Sequence, residues 1–159
     1  MPVEIYKGLY VGPGKIPLYD INIDIIISLD CGAKPYGRRD IENICLDIED
    51  FDVEPISRIG EALENIDMSL ASGKKVYLHC RAGCGRTGTV AIAYLIGKGY
   101  SLDEAYNLFI NMRGCGPEDE RQMIFLEIFY EAVNKYGFKE TVELLKRSKS
   151  LEDFIVKLG

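Results

Sequence analysis

Apolar positions along the chain follow two periods, and the switch between them outlines the elements. "EIYKGLYVG" (Glu4 to Gly12) reads as a hairpin or a pair of strands, and "DIIISLD" (Asp24 to Asp30) as a buried, β-branched strand. "NICLDIEDFDVEP" (Asn43 to Pro55) opens as a short strand and becomes an acidic loop. Helical spacing then takes over: Ile56, Ile59, Leu63, Ile66 and Leu70 follow Pro55, and Gly73 lies just past the last of them. "KKVYLHC" supplies a central strand, Arg86 to Lys98 a buried helix stopping at Gly97 or Gly99. Ser101 starts another helix, with Glu104 at capping-box spacing, and a further one follows Pro117. Gly137 to Gly159 read as one or two amphipathic pieces whose Leu144, Leu145, Leu151, Phe154, Ile155 and Leu158 pack on the domain. The alternation predicts an α/β fold, with a central, mostly parallel sheet flanked by helices and residues 1–159 as one domain.

With 47% apolar residues in a chain of 159, a sizeable core is possible, and neither repeats nor low-complexity tracts interrupt it. Twenty-five acids against 19 bases leave a formal charge of -6. That balance disfavours broad contact with nucleic acid or a membrane surface, while leaving room for a local cationic pocket. No apolar run approaches the roughly 18 to 20 residues needed to cross a bilayer, and the opening residues do not resemble a signal peptide. The expectation is a soluble, cytoplasmic protein; its oligomeric state stays open. Five cysteines (Cys31, Cys45, Cys80, Cys84, Cys115) form an odd set without CxxC spacing, so free thiols are expected rather than disulfides or structural zinc. His79 is the lone histidine, and with Cys80 and Cys84 it makes no zinc pattern, so no metal is expected.

Candidate chemistry concentrates in "VYLHCRAGCGRTGT" (Val76 to Thr89), where a strand runs through a glycine-studded turn into a helix. Gly83, Gly85 and Gly88 have GxGxxG spacing, but a dinucleotide site needs a second strand ending in an acid about 20 residues on. Asp103 holds that distance and sits in the first turn of a helix instead. A P-loop fails as well, because no lysine follows Gly88. What remains is an anion cradle: glycines that let backbone N–H groups curl inward, a helix N-terminus beneath, and Arg86 to grip two phosphate oxygens. The same cradle favours the thiolate of Cys80, the nucleophilic form. Thr87 could hydrogen-bond that sulfur. His79, next to Cys80 on a strand, points to the opposite face and reads as a packed side chain rather than a base.

"HCRAGCGRTG" resembles the HCxxGxxR[ST] signature of the cysteine-dependent protein tyrosine phosphatases, in particular the small dual-specificity branch with its compact prokaryotic members. The resemblance covers about Tyr6 to Ile128, leaving 137–159 as a C-terminal helical extension. It implies a phosphate-binding loop between a central strand and a helix, with Cys80 and Arg86 catalytic. Arg81, Ala82, Gly83, Cys84, Gly85 and Arg86 would hold the phosphate. "LDIEDFDVEP" is similar to the family loop that carries the general acid, and the alignment selects Asp50, with Asp52 and then Asp47 as alternates; Asp47 stands where proline is usual. Without the resemblance, five acids in the eight residues from Asp47 to Glu54 read as a solvated surface run. "MRGCGPEDERQMIFL" is similar to a further family segment, in which Arg113 supports the phosphate loop and Gln122 faces either the pocket or solvent.

The implied activity is metal-independent, cofactor-free hydrolysis of phosphomonoesters through a phosphocysteine, with a phosphorylated protein or peptide as substrate and phosphotyrosine preferred. One loop cation beyond Arg86, namely Arg81, suits a single phosphate better than a phosphoinositide. Lys34, Arg38, Arg39 and Tyr36 could border the pocket or form a solvated turn. The alternatives are a phosphatase of phosphoinositides or of nucleotide or RNA 5′-phosphates, and a phosphate-binding module without catalysis. A low-molecular-weight phosphatase or arsenate reductase would carry its CxxxxxR loop near the N-terminus, ahead of its acid; here Asp50 precedes Cys80.

Overall fold

The computed structural model describes residues 1–37 and 40–159. Strands β1 (Val3–Tyr6), β2 (Leu9–Gly12), β3 (Ile25–Ser28), β4 (Glu42–Cys45) and β5 (Val76–His79) form one sheet in the order β1-β2-β5-β3-β4. The β1–β2 pair is an antiparallel hairpin, and every other pairing is parallel. All four residues of β5 are buried, as its place at the centre of a parallel sheet requires.

Among the described residues, six α-helices follow the predicted order: α1 (Ile56–Ala71), α2 (Gly85–Gly97), α3 (Leu102–Arg113), α4 (Glu120–Tyr136), α5 (Phe138–Lys146) and α6 (Leu151–Leu158). The expected α/β fold is present, with one refinement. Strand side chains alternate in direction, so Ile25, Ile27, Val76 and Leu78 join the core that all six helices cover. Ile26 and Tyr77 point the other way, against Leu18 and Ile23 of the irregular segment 13–24. The helices therefore lie on one face of the sheet.

Local signals account for the helix limits. In α1 the period-matched Ile56, Ile59, Leu63 and Ile66 are buried, and Gly73 beyond its end has φ +79°. Ser101 and Glu104 make both bonds of the capping box ahead of α3. In the extension, Leu145, Leu151 and Phe154 are buried, whereas Ile155, expected to pack, is 40% exposed. The seat of α5 on α1 is close: a Cβ at Gly60 would stand 3.0 Å from that of Leu145.

Four of the five cysteines depart from the free-thiol expectation. Cys31 is bonded to Cys45 and Cys84 to Cys115, with Cα–Cα separations of 5.6 and 5.4 Å, and Cys80 alone is free. Neighbouring parallel strands β3 and β4 end side by side, which brings Cys31 to Cys45. The start of α2 lies against the turn after α3, which brings Cys84 to Cys115. Neither adjacency follows from spacing along the chain.

Candidate active site

Parallel strands release their C-terminal loops at one edge of a sheet, where α/β proteins place their sites. Here β5 delivers Cys80, β3 delivers Asp30, and the loop after β4 delivers Asp50. Cys80 is 2% exposed, and the backbone N–H of Gly83 donates to its Sγ at 3.3 Å. Gly83 has φ +76°, and a Cβ there would fall 2.4 Å from the backbone C and O of Gly12. Both the dihedral and the space demand glycine. Gly85 opens α2, whose N-cap, Cys84, supplies no side-chain cap. The first-turn N–H groups of α2 thus lack a capping side chain at the loop. Gly88 has a different use from the one expected: a Cβ there would meet Pro117 at 2.6 Å and Phe109 at 3.0 Å, so it permits close packing of α2 rather than shaping the cradle. The sulfur of Cys84 is taken by Cys115, leaving only its backbone for a ligand.

Arg86 is buried, with its guanidinium directed by three groups. Nη1 donates to the carbonyls of Ile48 (3.0 Å) and Leu29 (3.5 Å), and Nη2 to Asp30 Oδ2 (3.3 Å). Its Nε lies 3.4 Å from Asp50 Oδ1 but has no aligned hydrogen-bond partner among the described residues. Asp30 also binds Arg81, at 3.2 and 3.4 Å, and accepts from Gly32 N–H. Burial raises the Asp30 carboxyl, but Arg86, Arg81 and that N–H outweigh it and hold it below the ordinary carboxylate range. Arg113 donates to the carbonyls of Gly83 (3.1 Å) and Ala82 (2.9 Å), tying α3 to the outer side of the loop.

His79 is buried, and its Nδ1 meets the Cys80 carbonyl at 2.8 Å. A carbonyl only accepts, so Nδ1 carries the proton. Burial pushes the imidazole down toward neutrality, leaving Nε2 to accept from Ser28 Oγ at 2.6 Å. His79 is thus a packed, hydrogen-bonded side chain that fixes the Cys80 backbone. Thr87 Oγ1 is buried without a hydrogen-bond partner among the described residues, so the bond from Thr87 to the sulfur is not made here.

The acidic loop separates its three candidates. Asp47 accepts from Cys31 N–H (2.7 Å), and Asp52 accepts from Val53 N–H (2.7 Å) and Arg121 Nε (2.8 Å). Asp50 is the one beside Arg86, with its side chain 58% exposed. Gln122 is buried, touches the Asp52 carbonyl at 3.3 Å, and lies beneath Gly85, so its solvent-facing reading is excluded. Two residues escaped sequence reasoning: Asp30, an ordinary strand-end acid by pattern, and Arg121, one charge in a polar helix face. Among the flanking candidates, Lys34 and Tyr36 are exposed, while Arg38 and Arg39 lie outside the described residues. Cys31, Cys45 and Asp47 are close enough together to share a metal ion, but the two cysteines are bonded to each other.

Comparison with known proteins places this geometry. The family described as the dual specificity phosphatase catalytic domain matches residues 9–137. The 123R protein of Invertebrate iridescent virus 6, a candidate tyrosine phosphatase by name, is 34% identical over 110 residues, spanning 67% of this chain and 75% of that protein. Dual specificity protein phosphatase 1-A of Xenopus laevis is 31% identical over 119 residues, 70% of this chain and 32% of that protein; the chain spans about a third of such longer relatives. The crystal structure of Tk-PTP in the active form superposes with a TM-score of 0.71 at 27% identity, over 82% of this chain and 96% of that one.

Proposed function

The chain belongs to the dual specificity phosphatase catalytic-domain family, within the cysteine-dependent protein tyrosine phosphatases, and on that premise we propose a two-step hydrolysis of phosphomonoesters centred on Cys80. In the first step Cys80 Sγ attacks phosphorus in line while the bond to the leaving oxygen breaks and Asp50 gives that oxygen its proton. The product is a phosphocysteine. In the second, Asp50 takes a proton from water, the water oxygen attacks phosphorus, and the S–P bond breaks to release phosphate and the thiolate. Loop N–H groups and Arg86 stabilise the equatorial oxygens throughout, so positioning and electrostatics carry most of the catalysis.

The observation that carries this reading is the meeting of three groups at one edge. A buried thiol under the Gly83 N–H, a buried Arg86 Nε without an aligned partner, and the Asp50 carboxyl 3.4 Å from it are what the transfer needs. A binding module would have no use for the acid. His79 and Arg113 brace the loop backbone, Gln122 backs Gly85 and the acid loop, and Thr87 keeps a hydroxyl beside the catalytic arginine in the chain.

For the substrate we propose a phosphorylated protein or peptide, with phosphotyrosine favoured over phosphoserine and both over phosphoinositides. Arg81 and Arg86 share Asp30, whose carboxylate offsets part of the loop's positive charge, and that suits a single phosphoryl group. Phe51, 73% exposed beside Asp50, offers an apolar face to an aryl ester at the rim. Values of kcat/KM for phosphotyrosine and phosphoserine peptides and phosphoinositide vesicles would rank the classes; a phosphoinositide at the top overturns the charge argument. A cytoplasmic location is part of the proposal. It requires both disulfides to persist against cellular thiols, which equilibration in glutathione buffers would test.

The test of the activity is turnover of para-nitrophenyl phosphate in a chelator, blocked by vanadate and abolished in Cys80→Ser. Retained turnover in Cys80→Ser, or loss of rate in the chelator, would refute it.

A further inference from the structure

Residues 138–159 lie beyond the family match, yet they reach the acid loop. The link is Arg121, near the start of α4, whose guanidinium holds three carboxylates. Nε donates to Asp52 (2.8 Å) and Nη2 to Glu54 (2.7 Å), both in the acid loop. Nη1 donates to Glu152 (2.6 Å), in the first turn of α6. One cation among three carboxylates leaves excess negative charge, and α6 offsets part of it: the Leu151 N–H, at its N-terminus, donates to the same Glu54 oxygen at 2.8 Å. The loop is closed across its base by Glu49 N–H on the Glu54 carbonyl (2.9 Å), and Gln122 holds the Asp52 carbonyl. Val53, between the two anchored acids, is fully buried.

These anchors fall just C-terminal to Asp50, whose own side chain is mostly exposed and meets the site through its 3.4 Å approach to Arg86. Without the clamp, Asp52 and Glu54 would repel each other and draw the loop toward water. We infer that helix α6 and Arg121 act together as a latch that holds the acid loop against the phosphate loop, with Arg121 and Glu152 as positioning residues for the protonation step. The inference rests on Asp50 being the general acid. Asp52 is thereby an anchor and is not available as the acid.

A double-mutant cycle tests the latch with Glu152→Gln, Asp50→Asn and their combination, each assayed on phenyl phosphate and on para-nitrophenyl phosphate. Glu152 is two-thirds exposed, so Glu152→Gln keeps the fold, which a thermal melt verifies. With phenyl phosphate, whose leaving group needs the proton, Glu152→Gln lowers kcat by about two- to fivefold, the range of one exposed ion pair. With para-nitrophenyl phosphate the drop is smaller. In the Asp50→Asn background Glu152→Gln changes nothing further, because there is no acid left to position. Arg121→Gln, which frees all three carboxylates, lowers kcat for phenyl phosphate by about ten- to hundredfold, no more than Asp50→Asn does. Equal losses from Glu152→Gln in both backgrounds, or no loss in either, would overturn the latch. Asp50→Asn without a leaving-group-dependent loss would instead overturn the assignment of the acid.

Discussion

Gly83 offers a sharp perturbation, because Gly73 shares its left-handed φ in different surroundings. Their φ values are +76° and +79°. A Cβ at Gly73 meets nothing within 4 Å, whereas at Gly83 it would lie 2.4 Å from the Gly12 carbonyl and 2.7 Å from Pro13 N. Gly73→Ala therefore carries only the left-handed backbone cost, about 1–2 kcal/mol. Gly83→Ala adds an overpacking cost of about 1–3 kcal/mol against backbone that cannot rotate aside. The cheapest relief is for the loop to move outward, which withdraws the Gly83 N–H from Cys80 and strains both Arg113 bonds. If loss of this N–H from the nucleophile costs as much as loss of one preorganised oxyanion donor, about 2.7–4 kcal/mol, kcat falls by a factor of about 10² to 10³. Denaturant melts and kcat for para-nitrophenyl phosphate on both variants read the two effects separately. Gly73→Ala should lose stability and keep its rate, and Gly83→Ala should lose both. A Gly83→Ala enzyme within threefold of the wild-type rate would refute the idea that this N–H and this loop shape serve the reaction.

Two further outcomes follow from the braces around the site. Chain-entropy arithmetic for loops of 14 and 31 residues gives about 3 kcal/mol for Cys31–Cys45 and about 4 kcal/mol for Cys84–Cys115, so a reductant should lower the melting point, and Cys115→Ser should make it less sensitive to reductant. An unchanged melt in reductant would contradict both bridges. Burial holds His79 below its ordinary 6.5, so between that pH and its lower folded value the unfolded chain binds a proton that the folded chain rejects. Stability from this group is complete above 6.5 and is lost as pH falls through it; His79→Asn, which can still donate to the Cys80 carbonyl, should flatten that part of the stability curve, and an unaltered slope would refute the neutral assignment.

Legibility followed the range of each interaction. The period of α1, the capping box before α3 and the strand-loop-helix around Cys80 are written in contiguous residues, and the folded chain follows them closely. The helices' gathering on one face was not legible, because alternation in a fully buried strand does not say what covers each side. Asp30 binds Arg86 across 56 residues and Arg121 binds Asp52 across 69, and both pairs depend on strand order and helix placement. The disulfides share that cause: Cys31 meets Cys45 because β3 and β4 are neighbours, and Cys84 meets Cys115 because α2 starts beside the turn after α3. Gly88 shows the converse error, a motif position assigned to the ligand although its space belongs to Phe109 and Pro117.

The central claim is that phosphate passes through Cys80. Rapid acid quench of the enzyme turning over a substrate with a radiolabelled phosphoryl group, followed by peptide mapping, tests it directly. Label should appear on the peptide containing Cys80 within the first turnover and be absent from Cys80→Ser. An unlabelled enzyme captured in the middle of turnover, or label on any other residue, would contradict the account.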